Sequence, residues 1–273
     1  MKISCEICPH RCMLDDGQTG LCGARKNDGG RVVCDSYGKL TSLCLDPIEK
    51  KPFARFMPGT KILSAGSYGC NMRCPFCQNH SISLSFDEKT LYFPPEKLVK
   101  FAESLIPQGN IGLAFTYNEP LISYEYVYDT SSLAKRQGQK TALVTNGFIN
   151  EEPLRRLLPY IDAMNIDLKG FSAEFYKKLQ GGLEEVKNTI AIAASSCHVE
   201  VTTLIIPGEN DSEDEMKSLA GWVASVREDI PLHVSRFFPS HLYSDKLPTP
   251  VSKIYKLAET AREFLKYVYT GNC

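Results

Sequence analysis

From Lys61 onward, short apolar runs rich in β-branched residues alternate with segments of helical period. Successive βα units around parallel strands produce this pattern. The runs predict strands at 62–66, 111–116, 141–145, 161–167, 199–206 and 232–238, with a short last one at 267–269. Helices are expected between them at 95–106, 120–137, 151–158, 172–179, 183–196, 212–228 and 251–265. In the first of these, Leu98, Ala102 and Leu105 share one face while Glu96, Lys97 and Glu103 point elsewhere, as an amphipathic helix requires. Asp211 or Ser212 is placed to cap the helix that opens with Glu213, Asp214 and Glu215, where negative charge suits the helix dipole. Six βα units in about 210 residues are too few for a closed eight-stranded barrel. The expected architecture is α/β, a partial (β/α)6 barrel over residues 61–273.

Residues 1–60 break the pattern. They carry six of the chain's eleven cysteines, with many glycines and charges and no amphipathic period. We read them as a small Cys-rich amino-terminal segment that needs metal to fold. Clustered cysteines in a small secreted protein point to disulfides, but the first residues lack the apolar stretch of a secretory signal, and in such a chain they more often bind metal or do redox work. The expected location is cytoplasmic. A net charge of -1 gives no electrostatic case for nucleic acid or an anionic membrane, and no apolar run reaches the length of a membrane span.

The strongest chemical signal is Gly69-Cys70-Asn71-Met72-Arg73-Cys74-Pro75-Phe76-Cys77, directly after the first predicted strand. Three thiolates at this C-x-x-x-C-x-x-C spacing can hold three irons of a 4Fe-4S cubane and leave the fourth without a protein ligand. An open iron lets a small molecule bind the metal directly. A structural zinc knuckle would need a fourth ligand, for which His80 is the nominal candidate.

This loop, with an aromatic residue before its third cysteine, resembles the defining loop of the radical S-adenosylmethionine (SAM) superfamily. The resemblance is closest to the relatives of pyruvate formate-lyase activating enzyme, and among them to the radical SAM member of the AmmeMemoRadiSam system. It rests on CEICPHRC with a later GLCGAR, then DPIEKKPFARFMPG, YGCNMRCPFCQNHSIS, TYNEP and DAMNIDLKGF, in that order.

The resemblance implies a partial radical SAM barrel in which Cys70, Cys74 and Cys77 hold the 4Fe-4S cluster. Reductive cleavage of SAM there would yield a 5′-deoxyadenosyl radical. Phe76 is the aromatic neighbour of the cluster. Thr116 to Pro120 match the segment that meets the SAM amino group, with Glu119 and the carbonyls of Tyr117 and Asn118 as contacts. Asn146 lies in a T-N-G-F turn, Asp167 and Lys169 in a D-L-K segment near the ribose and carboxylate, and His241 in a P-x-H beside the adenine. Val144 stands where related enzymes place an Asp near a monovalent cation. His233 and Arg236 are further candidates to face the substrate. All follow strands, and the carboxyl ends of parallel strands are where such folds bind ligands.

Cys5, Cys8, Cys12 and Cys22 supply four thiols, with His10 among them. They suit either a closed tetrahedral zinc site or a fully ligated second iron-sulfur cluster, and reduced thiols are the remaining reading. The spacing does not separate these. Cys34, Cys44 and Cys197 read as small buried hydrophobes, and Cys273 has no assigned role.

By resemblance, the partners are an electron donor such as flavodoxin or ferredoxin, and either Memo-like and Ammecr-like proteins or a glycyl-radical enzyme. A metal-binding scaffold without SAM turnover is the alternative from a different class.

Overall fold

The computed structural model describes residues 2–84 and 89–273. Eight strands form one sheet: β1 (Ser42–Pro47), β2 (Lys61–Gly66), β3 (Asn110–Phe115), β4 (Lys140–Thr145), β5 (Ala163–Asp167), β6 (His198–Ile205), β7 (Leu232–Arg236) and β8 (Val268–Gly271). They lie side by side in chain order. β1 runs antiparallel to β2, and every other neighbouring pair is parallel. Among the described residues β1 and β8 do not pair with each other, so the barrel is open, as expected.

The helices are α1 (His80–Leu84), α2 (Pro95–Ser104), α3 (Tyr124–Arg136), α4 (Glu151–Leu157), α5 (Ala173–Lys178), α6 (Leu183–Ala194), α7 (Glu213–Val226) and α8 (Val251–Arg262). Ser212 caps α7 by accepting from the Glu215 N–H, which settles the choice between it and Asp211. The main core joins Leu63, Leu113, Leu143, Met164, Val201 and Val234 of the strands to helical residues such as Leu98, Val127, Ile190, Leu219 and Leu257. Burying each such side chain contributes roughly 1.5–3 kcal/mol.

Ala114, Ala142 and Ala163 lie in a separate cluster with Ile48, Phe53 and Ile62. This cluster marks the barrel's inner face. Pro52 to Arg55 seal it at the amino ends of the strands. The Asn165 side-chain amide donates to the Pro52 carbonyl at 2.7 Å. Glu200 accepts from the Ala54 and Arg55 N–H groups at 2.9 and 2.8 Å and from His198 and His233 at 2.9 and 2.6 Å. Burial opposes ionisation of Glu200, but these four donors outweigh it and hold the carboxyl down at about 2.

Three expectations need amendment. The sheet begins before residue 61, because Ser42–Pro47 pairs with Lys61–Gly66 along its whole length. The rest of the amino-terminal segment forms short antiparallel pairs, Ile3–Ser4 with Met13–Leu14 and Arg25–Asp28 with Arg31–Cys34. Cys44 is exposed rather than buried, since it sits on the edge strand. His233 and Arg236 have structural partners: His233 holds Glu200, and the Arg236 Nε donates to the Thr249 carbonyl at 2.7 Å.

Candidate active site

A cavity of about 380 Å³ opens at the carboxyl ends of the strands. Cys70, Cys74 and Cys77 all line it, together with Phe76, Tyr117, Asn118, Glu119, Asn146, Asp167 and Lys169. Strand order explains the convergence. The Cys loop follows β2, Tyr117 to Glu119 follow β3, Asn146 follows β4, and Asp167 ends β5.

Side chains from neighbouring strands brace the loop. Asn118 accepts from the Ser67 N–H at 2.9 Å and donates to the Tyr68 and Gly69 carbonyls at 3.0 and 3.1 Å. Asn146 donates to the Asn71 side-chain oxygen at 2.9 Å and to the Cys70 sulfur at 3.6 Å. The Met72 N–H also points at that sulfur, at 3.4 Å. Glu119 accepts from the Thr145 hydroxyl and the Asn146 N–H, each at 2.7 Å, and from the Leu121 N–H at 2.9 Å. Its oxygens are thus committed to holding the β3 and β4 loops together, and burial pushes its carboxyl up to about 7 against those bonds.

Tyr117 takes a left-handed backbone, with φ 73°. Its carbonyl accepts from the Asn79 amide at 2.7 Å, and its hydroxyl donates to Asp46 at 2.7 Å. Lys169 pairs with Asp167 at 2.9 Å. Burial pulls the Lys169 ammonium down, but Asp167 and Cys74 outweigh it and keep the group firmly protonated. Phe76 is buried and stacks on Phe175 with ring centres 6.2 Å apart, so it serves both the cavity wall and the core.

His241 is placed differently. It lies outside the cavity lining, and its left-handed φ of 52° accompanies a stack on His80 with ring centres 4.7 Å apart. Lys50, Lys51, Thr202, Ser235 and Asn272 line the cavity without having been picked out as site residues. For the two lysines a signal existed, because they lie in the DPIEKKPFARFMPG stretch.

The donor set fits a cluster. Burial pushes the Cys70 thiol far up, with the Glu119 carboxylate adding to it, and pushes Cys74 up to about 11 against the pull of Lys169. Thiolates in such a place need metal charge to compensate them, and N–H groups aimed at the sulfur suit iron-sulfur ligation.

The amino-terminal cysteines meet as well. Cys5, Cys8, Cys12 and Cys22 line one small cavity with His10, Arg25 and Ile122. Among the described residues, no three His, Cys, Asp or Glu side chains are grouped to hold a single metal ion.

The sequence of residues 65–220 matches the radical SAM superfamily, and the chain belongs to that superfamily. It is 41% identical over 277 residues to uncharacterized protein MJ0808 of Methanocaldococcus jannaschii, covering 99% of this chain and 81% of that one. A putative glycyl-radical enzyme activating enzyme of the same organism, MJ1227, is 28% identical over 223 residues, covering 74% of this chain and 85% of its own. A solved domain of pyruvate-formate lyase-activating enzyme from Bacteroides vulgatus aligns with a TM-score of 0.51 at 21% identity, over 58% of this chain and 98% of that one. That likeness shows a shared fold. The protein is a radical SAM enzyme related to the activating enzymes of glycyl-radical enzymes, and SAM and a 4Fe-4S cluster are the cofactors of its superfamily. Among the described residues, no helix is long and apolar enough to cross a membrane.

Proposed function

We propose that the chain holds a 4Fe-4S cluster on Cys70, Cys74 and Cys77 and uses SAM beside it to abstract hydrogen from a substrate. The convergence of these three cysteines on one cavity with Asn146, Asp167 and Lys169 carries this reading. When bound, the cluster and SAM supply reductive cleavage to methionine and a 5′-deoxyadenosyl radical. The protein's own part is to place and shield the reactants. Asn146 and the Met72 N–H steady the Cys70 sulfur, Glu119 fixes the loops, and the Asp167–Lys169 pair offers one charge of each sign to the ends of SAM.

We place the enzyme in the AmmeMemoRadiSam system, with Memo-like and Ammecr-like proteins as partners and flavodoxin or ferredoxin as electron donor. The five ordered sequence stretches support this placement. Activation of a glycyl-radical enzyme is the second reading, favoured by the similarity to MJ1227. We also infer a second, four-thiolate site on Cys5, Cys8, Cys12 and Cys22, closed to substrate and holding zinc or a second cluster. Formation of 5′-deoxyadenosine by the reduced, reconstituted protein tests the central reading.

A further inference from the structure

The stretch between β1 and β2 sends two cations to the active-site cavity, Lys50 and Lys51. Lys51 is fully engaged. Its ammonium lies 2.9 Å from an Asp46 oxygen and 4.3 Å from the centre of the Tyr117 ring. The Tyr117 hydroxyl donates to the same Asp46 oxygen at 2.7 Å. These three buried or half-buried groups neutralise and fix one another.

Lys50 next to them is exposed. Among the described residues its ammonium has no ion pair and no hydrogen bond. The other charged side chains of the lining are engaged: Asp167 with Lys169, and Glu119 with its three donors. Among the described residues, Lys50 is therefore the uncompensated cation of the cavity lining.

Its place in the fold is also informative. Lys50 follows β1 at one free edge of the sheet, and Asn272 follows β8 at the other, yet both line the same cavity. Ser235, which accepts from the Asn272 amide at 3.1 Å, lies on the same wall. An uncompensated cation in the cavity lining favours an anionic oxygen group, because a charge-assisted hydrogen bond is stronger than one between neutral groups.

We propose that Lys50 binds the carboxylate or phosphate of a small organic substrate in this cavity, whose polar lining also includes Ser235 and Asn272. The inference rests on the radical SAM reading above and narrows its substrate to a small anion.

The test titrates the reconstituted protein, saturated with SAM, with inorganic phosphate and separately with acetate, following NMR line broadening of each probe. The expected result is saturable binding of at least one probe, weakened about tenfold in Lys50→Gln and restored to near the wild-type level in Lys50→Arg. Tighter phosphate binding assigns a phosphorylated substrate, and tighter acetate binding a carboxylic acid. Equal binding to the wild type and Lys50→Gln, or no binding to the wild type, overturns the proposal. Lys50-dependent binding by a protein that never cleaves SAM supports the anion site and sinks the radical reading alone.

Discussion

The backbone N–H of Cys70 donates to the carbonyl oxygen of Cys22 at 3.2 Å, joining the two cysteine motifs through one hydrogen bond. His10 adds a bond to the Asn71 carbonyl at 2.7 Å, and the Arg73 guanidinium reaches the Leu21 carbonyl. The amino-terminal segment is thus part of the mounting of the active-site loop. Gly69 makes the approach possible: its φ is 85°, and a Cβ there would lie 2.4 Å from the Cys22 oxygen. Gly69→Ala is expected to cost roughly 1–3 kcal/mol and to lower iron bound per chain on reconstitution. Thermal melting and iron analysis check this, and wild-type values in both would refute it.

Cys8→Ser tests the second metal site. Burial pushes the Cys8 thiol up to about 11, so this thiol needs a metal ion to become a thiolate near neutral pH. The variant is expected to lose one site's worth of metal and several degrees of melting temperature while keeping the absorbance of the cluster on Cys70, Cys74 and Cys77. Metal analysis of the wild type against the variant also separates zinc from iron.

Glu200 gives a pH signature. Its folded pKa of about 2 lies below its ordinary 4.5, so its stabilisation is present above 4.5 and lost as pH falls toward 2. Glu200→Gln should therefore cost about 3 kcal/mol at pH 7, because two histidines and two backbone N–H groups lose a buried anion. The gap between variant and wild type should shrink between pH 4.5 and 2. Denaturant melts across that range measure it, and a gap independent of pH would contradict the assignment.

Asp167→Asn separates cluster binding from SAM binding. Asp167 contacts Lys169 at 2.9 Å and makes no bond to the cysteine loop among the described residues. Cluster content should stay at the wild-type level while SAM affinity falls about tenfold. Equilibrium dialysis with labelled SAM gives the answer, and unchanged affinity would remove the pair from the cofactor site.

Much of this organisation was legible in the sequence because it depends on local pattern. The parallel strands announce themselves as apolar runs, and the Cys70 loop announces its chemistry by spacing. Strand Ser42–Pro47 escaped notice because it lies at the sheet edge and mixes Cys44 and Asp46 into its apolar run. Glu200 looked like a polar interruption of a strand, since three of its four donors come from residues 54, 55 and 233, far away in the chain. Lys50 and Lys51 were visible as a charged pair, but the cavity they line is built from residues far away in the chain. The positive φ that accompanies the stacking of His241 on His80 leaves no mark in composition or spacing.

The most direct test of the central claim is anaerobic formation of 5′-deoxyadenosine by the reconstituted, reduced protein with SAM, set against a variant with Cys70, Cys74 and Cys77 all changed to Ala. The account predicts product from the wild type and none above background from the variant. A fully loaded, reducible wild-type cluster that yields none, even with Memo-like and Ammecr-like proteins added, would contradict it and leave a metal-binding scaffold.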